Sequence, residues 1–320
     1  MLTAIVIVNY RTAGLVVECL RSLAPEVAAA PGTRVLVVDN ASGDGSVDQL
    51  CAALTENGWS HWAALIAAPR NGGFAYGNNV AIRTALAGGR PPDCIWLLNP
   101  DTRVRPGALA SLLAFERERP RAGIVGTRLE GPHGAIERAA HAAPSLVGEF
   151  NAGAWLGFLA QRPHGNDTNA NAAGVPRRCD WVSGASMLIR RAVLDSIGLL
   201  DEGYFLYFEE VDFCTRARRA GWEVWHVPAA RVVHLEAAAT GVGGLRRRPA
   251  YWFESRRRYF IKNHGRVYAL LADVARLAGA GAGRIGRRLA GRSMPADPPH
   301  FLSDLWRHSA FTRSGPCPVD

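Results

Sequence analysis

The chain lacks most of the devices by which small or spanning proteins hold themselves together. Its six cysteines (Cys19, Cys51, Cys94, Cys179, Cys214 and Cys317) are scattered and form no CxxC pair. Several stand in apolar stretches, where a free thiol behaves as a small hydrophobe. A disulfide framework and a zinc site are therefore not expected, and a reducing cytosol fits. No run reaches the roughly 18 consecutive apolar residues of a membrane span. No basic segment and small-residue cleavage site precede the first strand-like run, so no signal peptide is expected. Helix-turn-helix and zinc-finger signatures are missing as well.

What is present is an ordinary folded composition over 320 residues, 48% hydrophobic. That is room for one large domain or two modest ones, with enough core to need no staples. The net charge is +9, carried mainly by arginine and concentrated late in the chain, at Arg246 to Arg248, Arg256 to Arg258 and Arg284 to Arg292. With no nucleic-acid motif beside it, this basic tail points to an anionic membrane surface and not to nucleic acid.

The first hundred residues alternate short apolar runs (Thr3–Val8, Arg34–Asp39, Ala64–Ala67, Cys94–Leu98) with helical patterns near Leu15–Leu23, Val47–Leu54 and Phe74–Leu86. Such alternation predicts a parallel sheet with helices on both faces. In these sheets ligands bind beyond the carboxyl ends of the strands, which is where Asp39, Asn71-Gly72-Gly73 and Asn99-Pro100-Asp101 fall. From about 128 to 178 the chain is rich in Ala, Gly, Pro, His and Asn with weak periodicity, and reads as a long loop. Regular structure resumes at Cys179, and Glu209 to Gly221 reads as a helix with acids first, arginines last and a glycine stop.

Each polar cluster has two readings. Asp101 at a strand end is placed to hold a hard divalent cation such as Mg²⁺ or Mn²⁺, although Asn-Pro-Asp alone reads first as a turn. Asp39 could accept hydrogen bonds from a base or a ribose, or close an Asx-turn. Arg70 and the glycines after it offer an anion site at a helix start. Glu209, Glu210 and Asp212 crowd one helical turn, where they serve the helix dipole or supply a general base. Three acids in four positions repel, so at least one needs a partner. His234 closes another short apolar run, a position more often structural than ligating.

Taken in order, Val8-Asn-Tyr10, Val37-Val-Asp-Asn-Ala-Ser42, Arg70-Asn-Gly-Gly-Phe74, Leu98-Asn-Pro-Asp101, Trp181-Val-Ser-Gly-Ala185 and Phe208-Glu-Glu-Val-Asp-Phe213 resemble glycosyltransferase family 2, in its rhamnosyl- and galactofuranosyltransferase branch. The resemblance covers about residues 3 to 265. It implies a GT-A fold, an α/β architecture with a Rossmann-like nucleotide-binding mixed sheet flanked by helices. It also implies inverting displacement on a nucleotide-sugar donor. By the same resemblance Asn9, Asp39, Arg70, Asn71, Gly72, Gly73, Asn99 and Asp101 would line the donor site, with Asp39 at the nucleobase. Asp101 and His234 would be metal ligands, Asp101 foremost because Asn99 stands where the family often has a first acid. Glu210 would be the base, with Glu209 or Asp212 orienting the acceptor or completing an ion-pair network, and Trp181, Gly184 and Ala185 would face the acceptor. The expected domains are 1–244, catalytic, and 245–320, a basic helical segment. The best donor is dTDP-rhamnose, with a UDP-sugar as the alternative. The acceptor is a saccharide, free or linked to polyprenyl diphosphate, and the location cytoplasmic, peripheral on the inner face of the membrane. Tyr251 to Phe260 is either a membrane-facing aromatic stretch or a helix packed on the core. A nucleotidyltransferase would need a Gly-rich loop near the N-terminus, which Val8-Asn-Tyr-Arg11 does not supply. A non-catalytic sugar- or lipid-binding scaffold remains the rival from another class.

Overall fold

The computed structural model describes residues 1–154, 174–235, 247–291 and 298–309. Cys317, Arg246 and Arg292 lie outside them, as does the middle of the expected long loop. Thr3–Asn9 (β1), Thr33–Asp39 (β2), Ala63–Ala67 (β3) and Cys94–Leu98 (β4) form a parallel sheet in the order β3-β2-β1-β4. Ala13–Ala29 (α1), Ser46–Glu56 (α2) and Gly73–Ala87 (α3) connect them. All seven residues of β1 and all five of β4 are buried, because helices cover both faces of a parallel sheet. The strands and helices expected in this half all fall within these elements.

The sheet then changes direction. Ser186–Arg190 (β10) runs antiparallel between β4 and Ala122–Glu130 (β6). Next comes Glu223–His234 (β11), parallel to β6, and finally Thr102–Val104 (β5), antiparallel to β11. Ala108–Glu118 (α4), Arg191–Ile197 (α6) and Glu209–Arg219 (α7) complete this half. The pairing of β11 with β5 decides the site, because it brings a residue near position 234 beside position 101.

The expectation of a loop from 128 to 178 needs correction. Strand β6 continues to Glu130, and Ala140–His141 (β7) pairs with Trp181–Val182 (β9). Leu146–Ala154 (α5) is a helix, and Arg177–Arg178 (β8) adds to β11. The periodicity was weak because α5 packs through small residues. A Cβ on Gly153 would lie 2.3 Å from the Arg276 carbonyl oxygen, and one on Gly279 would lie 2.1 Å from that of Phe150. Two helices in such close approach leave no row of large apolar side chains to read.

Among the described residues past 247 there are three helices, Ala250–His264 (α8), Arg266–Leu289 (α9) and Phe301–Arg307 (α10). Of the two readings of Tyr251 to Phe260, the packed helix is the one observed. Phe253, Tyr259 and Phe260 are buried, and so is Arg256. The Arg256 guanidinium meets Glu149 of α5 at 3.0 Å and Asp273 of α9 at 2.5 Å, joining three helices by one buried cation. Among the described residues no helix is long and apolar enough to cross a membrane.

Candidate functional site

A cleft of about 310 Å³ opens at the carboxyl ends of the parallel strands. Its walls are Val8, Tyr10 and Thr12 around the end of β1, Asn40 after β2, Asn71, Gly73 and Phe74 at the start of α3, and Asn99 and Pro100 after β4. Phe205, Leu206 and Tyr251 close it from the other side.

Asn9 and Asp39 stand behind this wall. The Asn9 amide and the Ser42 hydroxyl donate to one Asp39 oxygen at 2.7 and 2.5 Å, and the Ser42 amide donates to the other at 3.0 Å. Asn9 in turn accepts from the Thr12 amide at 3.1 Å. Both side chains are buried and brace the β1 and β2 turns, and of this motif it is the neighbouring Asn40 that lines the cleft. The Asn40 amide donates to Asn71 at 2.9 Å and to the Gly73 carbonyl at 3.1 Å, tying the two turns together. Sequence reasoning passed over Asn40, although it sits in the same motif.

Gly73 has φ +84°, and a Cβ there would lie 2.0 Å from the Phe205 carbonyl oxygen. The Phe74 amide donates to that same oxygen at 2.8 Å. Only glycine allows both the left-handed backbone and this approach. Gly72 is equally closed in, with the Tyr76 ring 2.4 Å from where a Cβ would be. Arg70 is exposed, its guanidinium 4.4 Å from the centre of the Tyr76 ring. Gly73→Ala is expected to force the Phe205 segment outward. Donor affinity should fall at least about tenfold, with a stability loss above ~1 kcal/mol. Calorimetric titration with a nucleoside diphosphate and thermal melting measure the two, and wild-type values for both would show that this contact does not shape the cleft.

Behind Asn99 the turn is closed by the Asn99 amide donating to the Ala185 carbonyl at 2.9 Å and the Thr102 hydroxyl donating to the Asn99 carbonyl at 2.7 Å. Asp101 is buried. Because His234 pairs with Thr102 and the Leu235 amide donates to the Asp101 carbonyl, the imidazole and the carboxylate meet. His234 Nε2 is 3.5 Å from Asp101 Oδ1, and Nδ1 is 3.2 Å from Glu137 Oε2. Burial opposes charging of His234, but its hydrogen bonds and charge contacts to Asp101 and Glu137 outweigh it and raise the pKa. A carboxylate oxygen and an imidazole nitrogen converge here, with a second carboxylate holding the far ring nitrogen as outer-shell acids hold metal-ligating histidines. This donor set suits a divalent cation that takes its remaining ligands from water and phosphate. Among the described residues no group of three or more His, Cys, Asp or Glu gathers for a metal. Glu137 was not foreseen.

The acids of α7 part company. Asp212 accepts from Arg216 at 2.9 Å, Lys262 at 2.8 Å and Asn263 at 2.9 Å, with the Tyr204 hydroxyl at 3.4 Å. It clamps α7 to α8 as part of an ion-pair network. Glu209 and Glu210 each keep a buried carboxylate oxygen with no hydrogen-bond partner. Desolvation pushes Glu210 up to about 7, against the pull of helix-start amides. Glu209 rises well above the usual range, through burial first and the neighbouring Glu210 second. The two residues ahead of them, Tyr207 and Phe208, both have left-handed backbones (φ 69° and 68°), a strain found mostly where function requires it.

Gly184 faces Glu210 and Phe74. A Cβ on Gly184 would be 3.6 Å from that of Glu210 and 3.5 Å from the Phe74 ring. Gly184 therefore lies between Glu210 and a wall residue of the cleft. Ala185 is buried, and Trp181 is half-buried, stacked on His141 at 4.0 Å with its indole N–H donating to Ala142.

Residues 2–260 match the family model described as Glycosyltransferase like family 2. Over 249 residues, 75% of this chain and 74% of the relative, the sequence is 31% identical to an N-acetylglucosaminyl-diphospho-decaprenol L-rhamnosyltransferase of Mycobacterium tuberculosis. A low-salt glycan biosynthesis hexosyltransferase of Haloferax volcanii is 26% identical over 235 residues, 72% of this chain and 66% of that one. Among solved structures, a mannosyltransferase from Pyrobaculum calidifontis, in complex with GDP-Man and Mn²⁺, superposes with a TM-score of 0.57 at 16% identity, covering 92% of this chain and 76% of that one.

Proposed function

The chain belongs to glycosyltransferase-like family 2, and from that premise we propose that it is an inverting, metal-dependent transferase moving L-rhamnose from dTDP-rhamnose to a polyprenyl-diphosphate-linked saccharide. Its mixed sheet is the GT-A fold that the motifs implied. The observation that carries the mechanism is the pair Glu209 and Glu210, desolvated and short of hydrogen-bond partners, with Gly184 between Glu210 and Phe74 of the cleft wall.

In this reading Glu210 takes the proton of the acceptor hydroxyl, whose oxygen forms a bond to the anomeric carbon. The bond from that carbon to the nucleoside diphosphate breaks on the opposite face, so the configuration inverts. Glu209, whose pKa burial and the neighbouring Glu210 also raise, orients Glu210 or the acceptor. Asp101 and His234 would hold a divalent cation, which would neutralise the leaving diphosphate. Asn40, Asn71 and the Gly73 turn shape the nucleotide pocket, Asn9 and Asp39 brace it, and the exposed Arg70, preceding Asn71, attracts the anionic donor. Trp181 and Gly184-Ala185 form the acceptor side next to Glu210.

The choice of rhamnose is supported by the relative from M. tuberculosis, whose name gives both the sugar and a decaprenol-diphosphate acceptor. A lipid-linked acceptor would confine the reaction to a membrane surface, so the enzyme would act as a peripheral protein on the cytoplasmic face. A panel of dTDP- and UDP-sugars with Mn²⁺ or Mg²⁺ tests the assignment. Turnover of dTDP-rhamnose is expected. Turnover of UDP-galactofuranose or another UDP-hexose with none of dTDP-rhamnose removes the rhamnosyl assignment and leaves the hexosyl one.

A further inference from the structure

Helix α9 has two opposed faces of different character. One is made of small residues, Ala269, Ala272, Gly279, Ala280 and Gly283, all buried, with the glycines pressed against the α5 backbone. The other carries Val267, Leu271, Val274, Ile285 and Leu289, all exposed, up to 71% at Val267 and 85% at Leu289. At about 100° per residue these five fall within roughly 60° of arc, opposite the buried face. The exposed Ala278 and Ala282 fill the gap between Val274 and Ile285. Solvent-facing helix surfaces are normally polar, and a continuous aliphatic ridge of about 22 residues' length, or roughly 33 Å, marks an interaction surface.

Charge identifies the occupant. Arg266, Arg284 and Arg288 follow one flank of the ridge, all exposed. The only acid in the helix, Asp273, is on the buried face, paired with Arg256 at 2.5 Å. A second copy packed along the same ridge would set arginine rows against each other with no acid between them, whereas paired helices need complementary flanks. A phospholipid surface offers acyl boundary to the ridge and phosphates to the arginines, the arrangement of an interfacial amphipathic helix.

We infer that this chain docks on anionic lipid bilayers through the outer face of α9, with Val267, Leu271, Val274, Ile285 and Leu289 entering the interface and Arg266, Arg284 and Arg288 meeting phosphate. The membrane contact thus shifts from the aromatics of α8, of which Phe253, Tyr259 and Phe260 are spent on the core, to the next helix. Tyr251 of α8 lines the cleft, and α9 follows α8 after Gly265, so one helix links the cleft to the docking surface. This deepens the proposal of a lipid-linked acceptor and rests on it only for the reason why a membrane is needed.

The test is flotation of the full chain with vesicles of phosphatidylcholine alone and with roughly one-third phosphatidylglycerol. The wild type is expected to float with the anionic vesicles, less so at high salt, and weakly with the neutral ones. Leu271→Asp/Ile285→Asp and Arg284→Glu/Arg288→Glu should each reduce flotation at least tenfold. All four sites are exposed, so circular dichroism and melting temperature should stay at wild-type values. Wild-type flotation by either double variant overturns the inference, as does no flotation of the wild type. A wild-type dimer that Leu271→Asp/Ile285→Asp dissociates, seen by light scattering, would instead make the ridge a self-association surface. Flotation reads no turnover, so its failure leaves the transferase reading standing, and an inactive enzyme that floats would overturn only the latter.

Discussion

Glu210→Gln is expected to lower kcat by roughly 10²- to 10⁴-fold while leaving nucleotide affinity near that of the wild type. The substitution keeps shape and removes only the ability to take a proton. Desolvation sets the pH dependence as well. With Glu210 pushed up to about 7, turnover should rise with pH through the neutral range. Glu209 and Glu210 titrate as a pair, so the limb belongs to both acids together. Stability should move the other way. A carboxyl whose folded pKa is raised binds more protons folded than unfolded, so its contribution is present at acid pH and lost as pH rises from about 4.5 through the folded value. At pH 8 the pair therefore costs stability, and Glu210→Gln should melt higher than the wild type there and not at pH 5. Single-turnover kinetics, nucleotide titration and melting at the two pH values measure these effects. A fully active Glu210→Gln would end the base assignment. An inactive wild type that binds donor would favour the scaffold reading.

That the cleft could be placed from the sequence, and its surrounding contacts only in part, follows from where each kind of information resides. Strands β1 and β4 are buried on both faces and so read as plain apolar runs, with polar residues marking the ends where ligands bind. Asp39 and Asn40 show the limit of that reading. Both are polar at a strand end, and only the folded turn, with Ser42 and Asn9 taking up Asp39, leaves Asn40 for the cleft wall. The three acids of α7 were equivalent on paper because the helix dipole favours all of them. What separates Asp212 is Lys262, fifty residues on, together with Arg216. Glu137 had no local signal at all. Its amide donates to the Leu129 carbonyl at 3.0 Å, folding the chain back along β6, and the pairing of β6 with β11 then puts it within reach of His234. Helix α5 was illegible for a different reason, since its partner helix meets it through glycine.

Asp101→Asn is expected to cost at least about 10²-fold in turnover at limiting Mn²⁺, with part of the loss recovered as the ion is raised. The argument rests on charge. A neutral amide keeps an oxygen near His234 Nε2, now 3.5 Å from Asp101 Oδ1, but it lacks the charge with which a carboxylate holds a hard cation. Glu137 meets His234 at the far ring nitrogen, at 3.2 Å. Its removal in Glu137→Gln should weaken ion affinity by about 10- to 100-fold, the usual penalty for an outer-shell acid, without lowering kcat at saturating ion. The two variants thus separate: Glu137→Gln reaches wild-type kcat at a higher Mn²⁺ concentration, and Asp101→Asn does not reach it. Ion titrations of turnover, after stripping with EDTA, measure both. EDTA itself should abolish activity, and Mn²⁺ or Mg²⁺ should restore it. Full turnover in EDTA, with Asp101→Asn equal to wild type, would mean that the Asp101–His234 pair is a structural clamp between β5 and β11. The leaving diphosphate would then need protein cations instead, and Arg70, exposed and next in sequence to Asn71 of the cleft wall, would be the first side chain to replace.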